Sequence, residues 1–228
     1  MRQPISPGRL VMNQLRRDLP IDPPHTALLL IDVQNYSTHP AGGSFAALDE
    51  AEKKAQYAYF IDLLVTTVLP NQAKLLGACR AAGIEVIYTV IENLTSDGRD
   101  RSLDYKISGI NVPKGSWDAQ IPEIVAPLAR EIVLSKTSSS VFISTNIDYV
   151  LRNLGIRFLI VVGMLTDQCV DSAVRDACDL GYLVTVVTDA CATHTPERHA
   201  SSLANNRGYC RQLATEELMT EIAGPESH

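Results

Sequence analysis

Apolar runs of strand length alternate with amphipathic segments of helix length along nearly the whole chain from His25 onward. Most of the strand candidates are apolar on successive residues, as in "ALLLIDV" and "RFLIVVG", which is typical of strands buried on both faces. The candidates span residues 27–33, 85–90, 131–134, 157–163, 183–188 and 209–213. This alternation predicts a single α/β domain in which helices cover both faces of a parallel sheet.

Helix signals fill the intervals between these strands. A long helical stretch over residues 49–82 contains Pro70, which is expected to break or kink it. Shorter helices are predicted over 145–153 and 166–180, after Thr195-Pro196, and from Thr215 onward. The segment from Glu92 to Ile124 shows no strong periodicity and is predicted to be a long loop, of a kind that is often functional.

Composition and charge narrow the class of partner. The 228 residues are 46% apolar and 20% charged, as in an ordinary folded domain, and the net charge of −6 argues against nucleic acid or an anionic membrane. No apolar run approaches a bilayer span of about 18–20 residues, and an N-terminal arm over 1–24 lacks the apolar core of a signal peptide. We therefore expect a cytoplasmic protein with one domain over 25–228, no nucleic-acid or membrane partner, and a small-molecule ligand.

Cysteine usage narrows the chemistry further. The five cysteines are an odd number and include no C-x-x-C and no paired Cys/His spacing of the zinc type. This pattern argues against a disulfide framework and against structural zinc.

Three reactive residues follow three different strand candidates: Asp32 after "LLLI", Lys136 after "EIVLS" and Cys169 after "LIVVGMLTDQ". In open α/β sheets the ligand crevice lies beyond the carboxyl ends of the strands, so these side chains are expected to converge. Each alone has an ordinary structural explanation, as a cap, a solvated lysine or a core cysteine. A base, a cation and a thiol at one crevice, however, are what an activated nucleophile requires.

Cys169 is expected in the first turn of a helix, where unpaired backbone N–H groups and the helix dipole favour a thiolate. Lys136 is expected to favour the thiolate further, by lowering the thiol pKa. Asp32 could accept the thiol proton only if its own pKa were raised; the apolar residues before it suggest burial that would raise this pKa, while Lys136 would oppose the rise, so the three groups are expected to titrate as a coupled set. Because the same helix N-terminus offers N–H donors for an oxyanion, these parts specify acyl transfer through a thioester.

Three blocks of the chain resemble the isochorismatase-like cysteine hydrolase superfamily: "LLLIDVQN", "EIVLSKTSSSVFISTNIDYVLRNLGI" and "LIVVGMLTDQCVDSAVRDACDLGYLVTVVTDACAT". That superfamily includes nicotinamidases, carbamoylsarcosine amidases, ureidoacrylate amidohydrolases and biuret hydrolases. The resemblance implies a Rossmann-like three-layer α/β/α sandwich with a six-stranded, mostly parallel sheet. It also places the family's catalytic triad on Asp32, Lys136 and Cys169.

By the same resemblance, a non-proline cis peptide is expected between Met164 and Leu165, and the backbone N–H groups of Leu165 and Cys169 are expected to form the oxyanion hole. The chain departs from the nicotinamidase pattern, because "YTVIENLTSDGRDRS" has no histidine to bind a metal. His194 and His199 are expected to be a loop residue and a surface residue rather than ligands. We expect neither a metal nor another cofactor.

Six residues are candidates for substrate binding, and each has a structural alternative: Gln34, Asn35, Ser140, Phe142, Arg99 and Arg101. The two polar residues that follow Asp32 would either bind the amide group or only cap the strand end. The serine and phenylalanine would either shape the pocket or pack the strand-to-helix turn. The two arginines would bind a substrate carboxylate or, in a segment that mixes both signs of charge, remain in solvent.

The sequence thus predicts a cysteine-dependent amidohydrolase that cleaves a small amide or ureide C–N bond through a thioester and releases ammonia, an amine or a carbamate. The alternatives are an isochorismatase-type hydrolase of a non-amide substrate and a non-catalytic or redox-active α/β homologue. A nucleotide-binding module is disfavoured, since neither G-x-G-x-x-G nor G-x-x-x-x-G-K-[ST] follows a strand. By the resemblance, the protein is expected to be a homodimer or homotetramer.

Overall fold

A sheet of six parallel strands, in the order β3-β2-β1-β4-β5-β6, forms the centre of the computed structural model, which describes residues 16–224. The strands are β1 (Thr26–Ile31), β2 (Glu85–Ile91), β3 (Ile132–Lys136), β4 (Phe158–Met164), β5 (Leu183–Ala192) and β6 (Arg211–Leu213). The order runs outward from β1 in one direction and from β4 in the other. The crevice between these two strands is the topological switch point at which ligands bind in such sheets.

Helices flank the sheet on both sides and complete three layers. They are α1 (Asn35–Thr38), α2 (Glu50–Leu63), α3 (Leu69–Ala81), α4 (Leu103–Ile107), α5 (Val141–Ser144), α6 (Ile147–Asn153), α7 (Asp171–Asp179), α8 (Pro196–Asn206) and α9 (Thr215–Ala223). Two segments are wound as π-helix, Leu64–Val68 and Thr166–Val170. The predicted three-layer α/β/α sandwich with a six-stranded sheet is confirmed, and all five strand pairings are parallel.

The central strands read as continuous apolar runs because both of their faces are buried. Every residue of β1 and β4 is buried. Alternate side chains of β1 enter different cores: Leu28 packs into the core that contains Phe60, whereas Leu29 packs into the core that contains Val174. Full burial of one such leucine stabilises the fold by about 1.5–3 kcal/mol, so substitution by a polar residue on either face is costly.

The predicted helix over residues 49–82 is continuous but contains one irregular turn. It begins with a capping box in which Asp49 accepts a hydrogen bond from the Glu52 backbone N–H and Glu52 accepts one from that of Asp49. Pro70 has no N–H to donate to the carbonyl four residues earlier. The π-helical turn Leu64–Val68 lies directly before this proline and accommodates the missing bond, so the helix continues to Ala81.

The aperiodic segment between β2 and β3 folds over the carboxyl edge of the sheet. Its one α-helix is α4. The backbone N–H of Ser102 donates to the Thr137 carbonyl oxygen, and within the segment the backbone N–H of Asn93 donates to the Val112 carbonyl oxygen. Tyr105 of α4 is buried against Ile91, the last residue of β2. The segment therefore forms one wall of the switch-point crevice.

Two backbone features bring β1 and β4 close together at this crevice. Gly163 has a φ of 125°, and a Cβ atom there would lie 2.1 Å from the Ile31 carbonyl oxygen, so only glycine fits. Asp32 has a φ of 54°, a left-handed conformation that aspartate tolerates better than most residues. Both residues lie at the carboxyl ends of the two central strands, beside the crevice.

The division into an arm over 1–24 and a domain over 25–228 stays a prediction, and residues 1–15 of the arm lie outside the described residues. Within the arm, Ile21 donates a backbone hydrogen bond to Glu221 of α9, and Arg17 donates to the Cys178 thiol of α7. Among residues 16–224, no helix has the length and apolar character needed to cross a bilayer.

Candidate active site

The carboxyl edge of the sheet brings together the three residues predicted to be catalytic. Asp32 follows β1, Lys136 is the last residue of β3, and Cys169 follows β4 in the π-helical turn before α7. The Lys136 ammonium Nζ lies 2.8 Å from Asp32 Oδ2 and 3.4 Å from Cys169 Sγ. The long lysine side chain reaches past β2 to the switch point, so one cation contacts both the acid and the thiol.

Tyr105, which the sequence analysis missed, completes the contacts of this lysine. The Lys136 ammonium donates hydrogen bonds to the Tyr105 hydroxyl and to the Ser138 carbonyl oxygen, both at 2.9 Å. The same hydroxyl lies 3.9 Å from Cys169 Sγ. With these bonds and the ion pair to Asp32, the ammonium has a partner for each of its N–H donors.

Burial dominates the ionisation of this cluster. The Asp32 and Lys136 side chains are 2% and 0% exposed. Burial raises the pKa of Asp32, and the positive charge of Lys136 only partly opposes this. Burial alone would lower the pKa of Lys136, but the negative charges of Asp32 and Cys169 outweigh it and raise the pKa. Lys136 is therefore a permanent ammonium, and Asp32 is a stronger base than an exposed aspartate.

The expectation of a lowered thiol pKa at Cys169 is wrong. Burial raises the pKa of this thiol to about 12, and although Lys136 lowers it, the nearby Asp32 carboxylate raises it further. Burial and the Asp32 charge together outweigh the effect of the lysine. The resting Cys169 side chain is thus a neutral thiol beside a carboxylate of raised pKa. Asp32 Oδ2 faces the Lys136 ammonium at 2.8 Å, and Asp32 Oδ1 accepts a hydrogen bond from the Thr89 hydroxyl at 3.2 Å.

The loop that carries the nucleophile begins with a cis peptide bond between Met164 and Leu165, at the position that the family resemblance indicates. Leu165 and Cys169, the two residues expected to supply oxyanion N–H groups, both line the same cavity. The Leu165 carbonyl oxygen accepts hydrogen bonds from the backbone N–H groups of Gln168 and Val170. These bonds fold the loop into a tight turn below the cavity.

Helix α8 holds the nucleophile loop from the other side. Arg198 and the Thr193 hydroxyl both donate hydrogen bonds to Asp167, each at 2.6 Å. Ser202 donates to the Thr166 carbonyl oxygen at 3.0 Å. Asp167 and Thr166, which lie two and three residues before Cys169, are therefore attached to α8 and to the loop before it.

A cavity of about 510 Å³ opens above the three catalytic candidates, within the usual range for small-molecule sites. Asp32, Leu165 and Cys169 lie on its floor, and Tyr105 and Ser139 come from neighbouring loops. One wall is a cluster of aromatic rings in edge-to-face contact: Phe45, Tyr57, Phe60 and His194. In the sequence, this wall is indicated only by the aromatic residues between β1 and α3. Hydrophobic periodicity cannot distinguish such residues from those of the core.

The six residues proposed from sequence for substrate binding do not line this cavity: Gln34, Asn35, Ser140, Phe142, Arg99 and Arg101. The fully buried Gln34 exchanges hydrogen bonds with the Ile91 backbone and donates to the Asp118 carbonyl. Asn35 donates to the Trp117 carbonyl oxygen. These two amides tie the strand end to the loop.

The other four candidates also have structural partners. Ser140 donates to Asp176 of α7 and caps the short helix α5, whose Phe142 packs near Tyr182. Arg99 forms an exposed ion pair with Asp97. Arg101 donates to the carbonyl oxygens of Gly98 and Ile110.

The two histidines differ in their outcome. His194 lies in the loop after β5, as expected, and it also lines the cavity. His199, expected at the surface, is instead half-buried in α8, and its ring nitrogen lies 2.9 Å from the Thr166 hydroxyl. Over residues 16–224 there is no cluster of three His, Cys, Asp or Glu side chains arranged to hold a metal ion.

Comparisons with known proteins identify the family and support the fold. The sequence model of the isochorismatase domain matches residues 26–217. A ureidoacrylate amidohydrolase of Rhizobium rhizogenes is 34% identical over 75% of this chain and 71% of its own length. A ureidoacrylate amidohydrolase of Caulobacter vibrioides is 30% identical over 85% of this chain and 84% of its own length. The crystal structure of a cysteine hydrolase from Pseudomonas syringae pv. phaseolicola superposes with a TM-score of 0.75 at 24% identity, covering 90% of this chain and 95% of that one.

Proposed function

The chain belongs to the isochorismatase family, and on that premise we propose that it is an amidohydrolase whose nucleophile is Cys169. It is a hydrolase that acts on non-peptide C–N bonds, the class to which its amidohydrolase relatives belong. The observation that carries the proposal is the position of Lys136 Nζ, which lies 2.8 Å from Asp32 Oδ2 and 3.4 Å from Cys169 Sγ. Asp32 and Cys169 lie on the cavity floor, and the lysine lies behind them. A base, a cation and a thiol in contact are the parts of an activated cysteine nucleophile.

The first step moves the Cys169 proton to Asp32. Before the transfer the cluster holds an ammonium, a carboxylate and a thiol, and afterwards an ammonium, a carboxylic acid and a thiolate. Because the net charge does not change, the buried site does not have to solvate a new charge. Burial raises the pKa of Asp32, which makes this carboxylate a stronger base, and Lys136 stabilises the negative charge in both states.

The thiolate then attacks the carbonyl carbon of the amide or ureide. The carbonyl oxygen becomes an oxyanion, which the backbone N–H groups of Leu165 and Cys169 stabilise. The C–N bond breaks as Asp32 returns its proton to the nitrogen, and ammonia or an amine departs from a thioester on Cys169. Water gives a proton to Asp32 and attacks the thioester, the S–C bond breaks, and Asp32 reprotonates the sulfur. The sum is amide plus water to acid plus amine.

The test is ammonia release from a panel of small amides and ureides, comparing the wild type with Cys169→Ser. We expect the variant to lose about 10³-fold or more, since a serine hydroxyl is a far weaker nucleophile in a site built for a thiol. Cys178→Ser is the matched control, because it makes the same change nine positions along the chain, outside the cavity. Mass spectrometry of quenched turnover should detect the acyl group on Cys169. Equal ammonia release by wild type and Cys169→Ser would rule out the proposed nucleophile.

Assembly as a homodimer or homotetramer and location in the cytoplasm are part of the same proposal. Four strongly exposed apolar side chains support assembly, namely Leu103, Ile107, Ile143 and Tyr149. All five cysteines are free, which suits a reducing compartment.

A further inference from the structure

The charge of the cavity wall restricts which amides can bind. Its acidic side chains are Asp32 on the floor and the exposed Asp104 at the mouth, and within the described residues the wall contains neither lysine nor arginine. Lys136 lies behind the wall, fully buried and already paired with Asp32 at 2.8 Å. A carboxylate that entered this cavity would meet two acids and no unpaired cation.

His194 does not change this balance. Burial lowers the pKa of His194, and the positive charge of Arg198 lowers it further, while the Asp167 carboxylate opposes both only in part. The ring is therefore neutral at pH 7. It contributes an aromatic face and a hydrogen-bonding nitrogen rather than a positive charge.

Three cationic side chains that are close in sequence to residues of the cavity wall already have partners. Arg101 donates to the Gly98 and Ile110 carbonyl oxygens, and Lys106 donates to that of Arg99. Arg198 is paired with Asp167 at 2.6 Å. Recruiting any of these three to a ligand would break these contacts, and none of them lines the cavity.

The remainder of the wall is suited to an uncharged group. The ring centroids of Tyr57 and His194 are 5.0 Å apart and those of Phe60 and His194 are 5.2 Å apart, with both pairs edge to face. Phe45 extends the cluster, with its centroid 5.2 Å from that of Tyr57. Such a wall favours apolar or aromatic surface, and the serine hydroxyls elsewhere in the cavity provide only neutral hydrogen bonds.

We infer that the substrate is an uncharged amide or ureide whose non-reacting part is apolar or aromatic, and that amides bearing a carboxylate are poor substrates. This inference rests on the proposed amidohydrolase function. It separates the chain from its ureidoacrylate amidohydrolase relatives, whose name specifies a carboxylate-bearing substrate. Burial of a carboxylate without a counterion is strongly unfavourable, whereas an aryl group gains by leaving water.

Matched substrate pairs test this inference. Benzamide and terephthalamide, which are uncharged, are compared with terephthalamic acid, which differs from terephthalamide by one carboxylate in place of an amide. Hexanamide and adipamic acid form the aliphatic pair. We expect kcat/KM for ammonia release to favour the uncharged member of each pair by about 100-fold or more. Binding of the same compounds to Cys169→Ser, measured by calorimetry, should follow the same order without depending on turnover.

Charge introduced into the wall provides the second arm. Ser108 lies at the cavity mouth, so Ser108→Arg should raise the ratio of carboxylate to uncharged turnover about tenfold. Ser201→Arg is the matched control, since this exposed serine of α8 lies outside the cavity and should leave the ratio unchanged.

The outcomes separate the two proposals. The substrate inference would be overturned if the carboxylates bound and reacted as well as the uncharged amides or better. If Cys169→Ser abolished that turnover, the amidohydrolase function would still stand. Ammonia release that Cys169→Ser retains would overturn the proposed function instead. Failure of every uncharged amide to bind Cys169→Ser would also overturn the substrate inference.

Discussion

At the scale of single residues, Lys136 is the centre of the site. It is a fully buried cation in contact with a carboxylate, a thiol and a phenol, and no part of it reaches the cavity wall. Because it contacts both the acid and the thiol, it stabilises whichever of the two carries the negative charge when they exchange a proton. Tyr105 is the only side chain of the α4 segment that contacts this cluster, through one hydrogen bond of 2.9 Å.

Tyr105→Phe removes that hydroxyl and leaves a buried ammonium N–H without its acceptor. We expect unfolding by urea to show a loss of about 1–3 kcal/mol and kcat to fall about tenfold, because Lys136 is then less firmly held between Asp32 and Cys169. The pH dependence of Cys169 alkylation by iodoacetamide should shift as well, since the group that ionises with it has moved.

Tyr88→Phe is the control for this change. Tyr88 is equally buried and accepts a hydrogen bond from Arg80 at 3.2 Å, in a cluster away from the cavity. It should lose stability but keep kcat and the alkylation profile. A Tyr105→Phe enzyme with wild-type kcat would show that the hydroxyl only stabilises the fold.

At the scale of elements, α8 sets the position of the nucleophile loop. Burial raises the pKa of Asp167, but hydrogen bonds from Thr193 and Arg198 outweigh it and hold this pKa below its ordinary value. A carboxyl with a lower pKa in the folded state stabilises the protein above its unfolded pKa, and this contribution disappears as the pH falls through the folded value. The part of the attachment that runs through Asp167 is therefore present at neutral pH and weakened in acid.

Asp167→Asn tests this attachment. At pH 7 we expect the free energy of unfolding to fall by about 1–2 kcal/mol, a modest loss because Arg198 is partly exposed and solvent screens its charge. We also expect kcat to fall several-fold, because the loop is held less firmly. The difference in stability from the wild type should shrink below about pH 4, where the wild-type carboxyl begins to protonate. Urea titrations at both pH values measure it.

Asp148→Asn is the corresponding control. Asp148 forms a similar 2.9 Å pair with Arg152 on α6, outside the cavity, and its pKa is also lowered, chiefly by the hydrogen bond from Arg152. Its loss should affect stability slightly and leave kcat unchanged. If Asp167→Asn also leaves kcat unchanged, α8 does not position the nucleophile loop.

At the scale of the whole molecule, exposed apolar residues mark where copies of the chain would meet. Ile107 of α4 and Ile143 of α5 are each 77% exposed, and α4 is joined by a hydrogen bond to Thr137, just before α5. Large exposed apolar groups on neighbouring elements are typical of association surfaces.

Light scattering should therefore give a mass two or four times that of the 24.9 kDa chain. The double variant Ile107→Asp/Ile143→Asp should lower this mass, because buried charge without a partner disfavours an interface. Val65→Asp, at an exposed position of the π-helical turn on the opposite face of the sheet, should not change it. A monomeric wild type would contradict the expectation of assembly.

The sequence by itself determined the layer architecture and the positions of Asp32, Lys136 and Cys169 at strand ends. Continuous apolar runs can be recognised locally, because burial on both faces of a strand leaves no polar period. The carboxyl ends of parallel strands share one edge as a matter of topology, so residues far apart in sequence could be predicted to converge there. The broken helix around Pro70 was predicted less well, since a π-helical turn accommodates the proline.

Only the tertiary structure decided the walls of the cavity and the ionisation of its floor. The segment predicted to be a long loop contains α4, in which the apolar Leu103 and Ile107 are exposed whereas Tyr105 is buried, so apolar character does not mark the buried face of that helix. His194 and Tyr57 are 137 residues apart in sequence and become neighbours only when α2 and the loop after β5 pack together. The thiol pKa depends on how completely all of these elements exclude water, and no local run of residues encodes that sum.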